Sequence, residues 1–212
     1  MRKRFLIVLF FFSSFAFGQV NKDYEIYSSV INSFMNNWDS SRIHLTNAVI
    51  IEKFQPKKNK IKEYVEMLYS TDTEFGIDNR NWHLQNDTSL IKLIQLESVE
   101  ESLFGLKKNF LETPVIESEK LNLETPHTLI SSSRYNSFFF LRKHKNGWKK
   151  YYKKFPKSAG VFSLSRIEYS ENYACFYIEH MAAGLHGSGR IIILKKINNS
   201  WEIRADLEVW LA

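Results

Sequence analysis

The chain has 212 residues, with 29 Lys and Arg against 23 Asp and Glu, one cysteine, and 44% hydrophobic and 15% aromatic residues. That composition excludes a disordered polymer, a collagen-like repeat and a disulfide-stapled mini-protein. It leaves a globular chain long enough to bury a core of its own, and names no activity.

The first eighteen residues read as a leader. Met1-Arg2-Lys3-Arg4 is a basic start, Phe5 to Phe17 is an almost unbroken apolar run, and Ala16 and Gly18 put small residues where a signal peptidase reads. The pattern predicts cleavage after Gly18, export to the periplasm or the medium, and a mature chain over 19–212. The apolar run is too short to span a bilayer as a helix, so no transmembrane segment is expected in the mature protein. No cysteine near the cut offers a lipid-attachment site. Cleavage removes three basic residues and six of the 17 phenylalanines, leaving 26 basic against 23 acidic residues, a net charge of +3 in place of +6.

Asp23 to Trp38 reads as a helix, with Tyr24, Tyr27, Val30, Ile31, Phe34 and Trp38 on one stripe and Asp23 as N-cap. Ala48 to Phe54 is a β-branched run that predicts a strand, and Lys58 to Tyr69 a second amphipathic helix. Residues 71–88 are polar and turn-rich. A helical pattern follows from Ser89 to Leu111 with a break near Leu96–Ser98. The segment 111–135, with Leu-Glu-Thr-Pro at 111–114 and 123–126, reads as a connector carrying one strand near His127–Ser131. Asn146-Gly147 is expected to break the pattern before a short helix, Trp148 to Phe155, that Pro156 ends. Four strands close the chain: Val161–Tyr169, Tyr173–His180, Gly189–Lys196 and Ser200–Leu211. The tight connections at 170–172 and 197–199 make neighbours antiparallel. The last strand is expected to point Trp201, Ile203, Ala205, Leu207, Val209 and Leu211 one way and Glu202, Arg204, Asp206, Glu208 and Trp210 the other. One face of this sheet is expected under helices and the other against water or a cleft. The fold class is α+β: an antiparallel β-meander of about four C-terminal strands, with one or two others, packed against N-terminal helices. The mature chain is expected as a single domain, helical over about 19–135 and β over about 136–212.

Gly147-Trp148, Tyr152, Phe155-Pro156, Ser158, Gly160 and Ser163-Leu-Ser-Arg166 form a recognisable series. It continues through the glycine loop at 184–189, Leu194-Lys-Lys196, Trp201-Glu-Ile203 and Trp210. The series resembles an uncharacterised family of small secreted bacterial proteins, over roughly the last third of the chain. The resemblance implies one fold unit and export, and carries no catalytic residues with it.

Candidate chemistry gathers in two places. From Arg142 to Lys157 there are eight Lys and Arg in 16 residues and no acid, so the rest of the mature chain carries a net −5. Helical spacing puts Lys149, Lys150, Lys153 and Lys154 on one face and Trp148, Tyr151, Tyr152 and Phe155 on the other. Docking those aromatics would display the lysines to an anionic polymer or surface, or simply to water. The second place is the loop Gly184-Leu-His-Gly-Ser-Gly-Arg190, where glycines permit close approach of a ligand to the backbone. His186 could act as acid, base or ligand, Ser188 as nucleophile and Arg190 as anion holder, with His180 and Glu179 nearby. The loop lacks Gly-x-Ser-x-Gly and any phosphate-cradling glycine pattern, and a plain hairpin bend accounts for it equally. Arg166 falls in register with Phe162 and Leu164, so it must pair, reach the rim or meet an anion. Asp206 and Glu208 near Arg204 offer paired carboxylates or a solvated, ion-paired sheet face. Cys175 reads as a buried small residue in a strand.

These features predict an exported, non-catalytic binding or interaction module, with Lys149, Lys150, Lys153, Lys154, Arg166, His186 and Arg190 as ligand-binding candidates. The partner would be an anionic envelope polymer or another envelope protein, nucleic acid being disfavoured by export. No cofactor, metal or catalytic residue is implied. The alternative is a hydrolase-type enzyme with a cleft near 184–190 using His186, Ser188, Arg190 and His180.

Overall fold

A computed structural model describes residues 22–37, 46–54, 60–69, 88–140 and 144–212. The leader over 1–18, Trp38 and the turn-rich stretch before residue 88 lie outside the described residues. The first helix, α1, covers residues 22–37. Strand β1 is Asn47–Ile51, followed by α2 Lys60–Leu68, α3 Thr88–Ile94 and α4 Glu97–Asn109. The break between α3 and α4 falls where expected, because Leu96 adopts an extended φ of −69° and ψ of 131°. A 3₁₀ turn at Ser118–Lys120 leads to β2 His127–Ile130, α5 Ser132–Ser137 and α6 His144–Lys154. The remaining strands are β3 Ser158–Leu164, β4 Glu168–Ser170, β5 Tyr173–Ala183, β6 His186–Ile197 and β7 Ser200–Leu211.

Three expectations about single elements are corrected. Asn146-Gly147 does not break α6, which runs through it from His144. The ring of Phe139 and the carbonyl of Phe138 lie so close that a Cβ on residue 147 would collide with the ring; the glycine serves helix packing, not a turn. The strand predicted over 161–169 is two strands interrupted at residues 165–167. The interruption turns the Tyr177 carbonyl and amide onto Ser165: Ser165 N–H donates to Tyr177 O at 2.9 Å and Tyr177 N–H to Ser165 Oγ at 2.8 Å. Finally, β7 does not alternate cleanly. Its pairing with β6 shifts register between Ile193 and Leu194 and again between Gly189 and Arg190. Each shift moves the following side chains to the opposite face.

The fold is α+β. Its sheet has the order β2-β1-β3-β5-β6-β7, with β4 pairing β5 alongside the end of β3. β3 through β7 are joined antiparallel, whereas β1 lies parallel to both β2 and β3. The two tight hairpins depend on residues at positive φ: Glu171 at 48° before β5, and Asn198 and Asn199 at 47° and 68° between β6 and β7. Asparagine tolerates this region best among residues with side chains.

Both faces of the sheet carry helices, where one covered face was expected. On one face, α1 lays Tyr27, Val30, Ile31 and Met35 over Ala48, Ile50, Phe162, Phe176, Ile178, Ile192 and Leu194. Tyr27 also anchors α1 by donating its hydroxyl to Ser165 O at 2.8 Å. On the opposite face there are two separate apolar clusters. One joins α2, α3 and α4 to Tyr173, Cys175, Tyr177, Ile191, Ile193 and Leu207. The other joins α6 to Val49, Ile51, Ile130 and Val161, with Tyr135, Phe138 and Met181 packed against it. Each fully buried Ile or Phe side chain contributes about 1.5–3 kcal/mol, so the clusters hold the layers together. With no disulfide possible, they are what stabilises the fold.

Candidate functional site

The helix α6 places its residues as the spacing predicted. Tyr151 is buried and donates its hydroxyl to Gly160 O at 2.7 Å, and Tyr152 donates to Ala182 O at 2.6 Å. Trp148 packs edge-on against Tyr151, and Phe155 is buried beside it. These two hydroxyls, bonded to backbone carbonyls of β3 and β5, fix the rotation of the helix, so Lys149, Lys150, Lys153 and Lys154 all face outward and are exposed. Among the described residues none of the four is paired with a carboxylate. Gly147 precedes Lys150 by three residues and Lys154 by seven, so it sits on their flank of α6. The turn 138–140 packs there through Phe139, and Phe140 next to it is 85% exposed.

The two arginine candidates are held internally. Arg166 leaves the apolar register at the β3–β4 interruption and pairs with Glu112 at 2.7 Å and Glu168 at 3.1 Å. Arg190 pairs with Asp206 at 2.7 Å and Glu208 at 3.4 Å, while Arg204 pairs with Glu202. The carboxylates expected beside Arg204 therefore serve Arg190. His186 is exposed at the start of β6, and Ser188 is nearly buried on the α1 face. The Ser188 hydroxyl accepts from Arg190 Nε at 3.4 Å, and His180 Nε2 is engaged 2.5 Å from Ala159 O. Serine and histidine of this loop are thus not brought together as nucleophile and base. Burial pushes His180 down to about 4, with Ala159 opposing and Arg190 adding to the shift. Cys175 is buried, and desolvation raises its thiol to about 12. A thiol so placed stays protonated and unreactive.

A further arrangement emerges from strand register. Ser163 pairs with Glu179, Glu179 with Gly189, and Gly189 with Trp210. This row crosses four strands on the face opposite α1, between the two apolar clusters. The Tyr177 hydroxyl reaches into it, donating to Glu179 Oε1 at 2.9 Å and accepting from Trp210 Nε1 at 2.6 Å. A Cβ on Gly189 would collide with both the Tyr177 hydroxyl and the Trp210 indole nitrogen. Glycine is the residue that lets those two meet. Ser163 is only 5% exposed, and its hydroxyl has no partner among the described residues. The Tyr135 hydroxyl, from α5, likewise has no hydrogen-bond partner among the described residues. Burial, and then the charge of Glu179, push Tyr135 up to about 12. Sequence reading noted Glu179 only as a neighbour of His180. The signal that could have found the row is one carboxylate inside an eleven-residue, nearly continuous apolar strand.

No described helix is long and apolar enough to cross a membrane, and no group of three metal-ligating side chains occurs among the described residues. No family model, curated protein or solved structure matches the chain.

Proposed function

We propose that the protein is an exported, non-catalytic module that docks onto an anionic lipid surface through α6. The observation that carries this reading is the outward face of Lys149, Lys150, Lys153 and Lys154, oriented by the tyrosine hydroxyls on the inner face. Arg166 and Arg190 are each occupied by two carboxylates, whereas the four α6 lysines are exposed on one helix face with no carboxylate partner among the described residues. Phe140, exposed in the turn that packs on α6 through Phe139, supplies an apolar group to the contact. A basic segment near an anionic bilayer gains about 1 kcal/mol per lysine, and an exposed ring adds to it. The leader and the resemblance to small secreted proteins support delivery to such a surface.

The test is sedimentation of mature 19–212 with vesicles of phosphatidylglycerol and phosphatidylcholine. Replacing the four lysines with glutamate should reduce partitioning at least 100-fold at low salt, and raising salt should do the same to the parent chain. Unchanged partitioning of the glutamate variant would remove the proposal.

A further inference from the structure

We propose that the tip of the β5–β6 hairpin, led by Leu185, inserts into the acyl-chain boundary of the anionic lipid surface that α6 engages. The inference rests on that reading of α6 and adds the element that enters the bilayer.

The shape of the tip follows from strand pairing. Ala183 pairs with His186, so Gly184 and Leu185 make a two-residue turn at the end of the sheet. Leu185 is 81% exposed, and a Cβ built on Gly184 would meet no atom within 4 Å. The turn is braced from behind: Ala212 N–H donates to Gly187 O at 2.8 Å, and Gly187 N–H to Ala212 O at 3.4 Å. That pairing brings the end of β7 alongside, where Leu211 is 70% exposed.

A lone exposed leucine is ordinary on a protein surface. The neighbours of this one select its partner. The Tyr152 hydroxyl of α6 bonds the Ala182 carbonyl, three residues before Leu185. Lys149 stands three residues before Tyr152 and so on the same flank of the helix. The tip therefore lies beside the basic helix, an apolar group next to cationic ones. A peripheral membrane contact uses that pair: cations at the phosphates and an apolar side chain below them. From residue 180 to 190 there is no Asp or Glu, so the hairpin carries no acid for the phosphates to repel. The other end of β5 differs. There Glu168 of β4 pairs with Cys175, Ser170 donates to Glu101, and Glu112 shares Arg166 with Glu168. These acids stand about 25 Å from the tip along the strand. An anionic surface repels that end and draws in the end that carries α6 and Leu185. A protein partner would need roughly 1,200 Å² of matched surface, whereas a bilayer accepts a protruding side chain of any outline.

The experiment places a thiol-reactive nitrobenzoxadiazole dye on Leu185→Cys in mature 19–212. Cys175 is buried with its thiol pushed up to about 12, so the dye goes to the tip. Vesicles of phosphatidylglycerol and phosphatidylcholine are made with and without a nitroxide on the acyl chains. The nitroxide should quench the tip dye and leave the same dye on Ser200→Cys, exposed at the far end of β7, unquenched. The neutral change Leu185→Ser should weaken sedimentation with the vesicles about tenfold and keep its salt dependence. Circular dichroism shows that each variant folds. If the parent chain sediments but the tip dye escapes quenching, or Leu185→Ser sediments as the parent does, insertion of the tip is overturned and the α6 reading stands. Equal quenching at Ser200 would likewise overturn the tip as the inserted element. If the parent does not sediment at all, both readings fall.

Discussion

Two consecutive rows of residues cross the same four strands on opposite faces, and they have opposite character. Phe162, His180 and Ser188 pair in register on the α1 face; Ser163, Glu179 and Gly189 pair one residue further along on the other. On the α1 face the His180 ring stacks on Phe162 with centroids 4.6 Å apart, and Phe34 of α1 closes over both. On the other face the row holds a carboxylate, a serine hydroxyl and a glycine. One helix lies along the first face and seals it. The second face is shared between α2–α4 and α5–α6, and the boundary between the two clusters is left polar. A sheet buried on both faces can thus keep polar side chains where its cover is made of two pieces.

The sharpest way to break this comparison is to truncate neighbours on β3. Phe162→Ala removes a fully buried ring from the α1 face and should cost about 3–5 kcal/mol. Ser163→Ala removes a hydroxyl that has no partner among the described residues, so its cost should stay within about 0.5 kcal/mol. Urea denaturation of the two variants measures both. A large cost for Ser163→Ala would mean that this hydroxyl is engaged by the fold after all.

The next effect is in pH. His180 is buried neutral, with its pKa lowered to about 4 from the ordinary histidine value of 6.5, chiefly by desolvation. Between those values the unfolded chain binds a proton that the folded chain refuses, so stability rises with pH across this window. Acidification from pH 6.5 to 4 should therefore remove up to about 3 kcal/mol. His180→Phe keeps a ring against Phe162 and cannot titrate. Thermal unfolding of the parent chain should gain a slope over this window that the variant lacks. Parallel pH profiles would show that His180 is not sealed beneath α1.

The contrast also explains what was legible in the sequence. Helix stripes and β-branched runs report burial directly, so α1, α2, the α3–α4 break and the order of the last strands could be read. The lysine face of α6 followed from spacing, because Trp148, Tyr151, Tyr152 and Phe155 leave only one way to dock it. The parallel pairing of β1 with β2 and β3 could not be read, since strand neighbours separated by long connections leave no local mark. The two register shifts in β7 are equally silent: Trp210 was assigned to the face of Glu208, and a shift at Gly189/Arg190 puts it with Gly189. The row from Ser163 to Trp210 depends on that shift and on pairings across four strands, so nothing in one segment announces it.

The smallest effect tests whether the charges on the α1 face stabilise anything. Arg190 and Asp206 are 2.7 Å apart, a distance at which pairing alone would lower the carboxylate pKa. Asp206 instead has its pKa raised, because burial outweighs the attraction of Arg190 and Glu208 stands nearby. A carboxyl whose pKa is higher folded than unfolded gains stability as pH falls and loses it as pH rises through the folded value. At neutral pH the ionised Asp206 is thus a slight burden, and Glu208 can still hold Arg190. Asp206→Asn should leave stability within about 0.5 kcal/mol of the parent, or raise it slightly. A clear loss in the denaturation midpoint would show that this pair, and not the apolar cover of α1, fastens β6 to β7 at the rim.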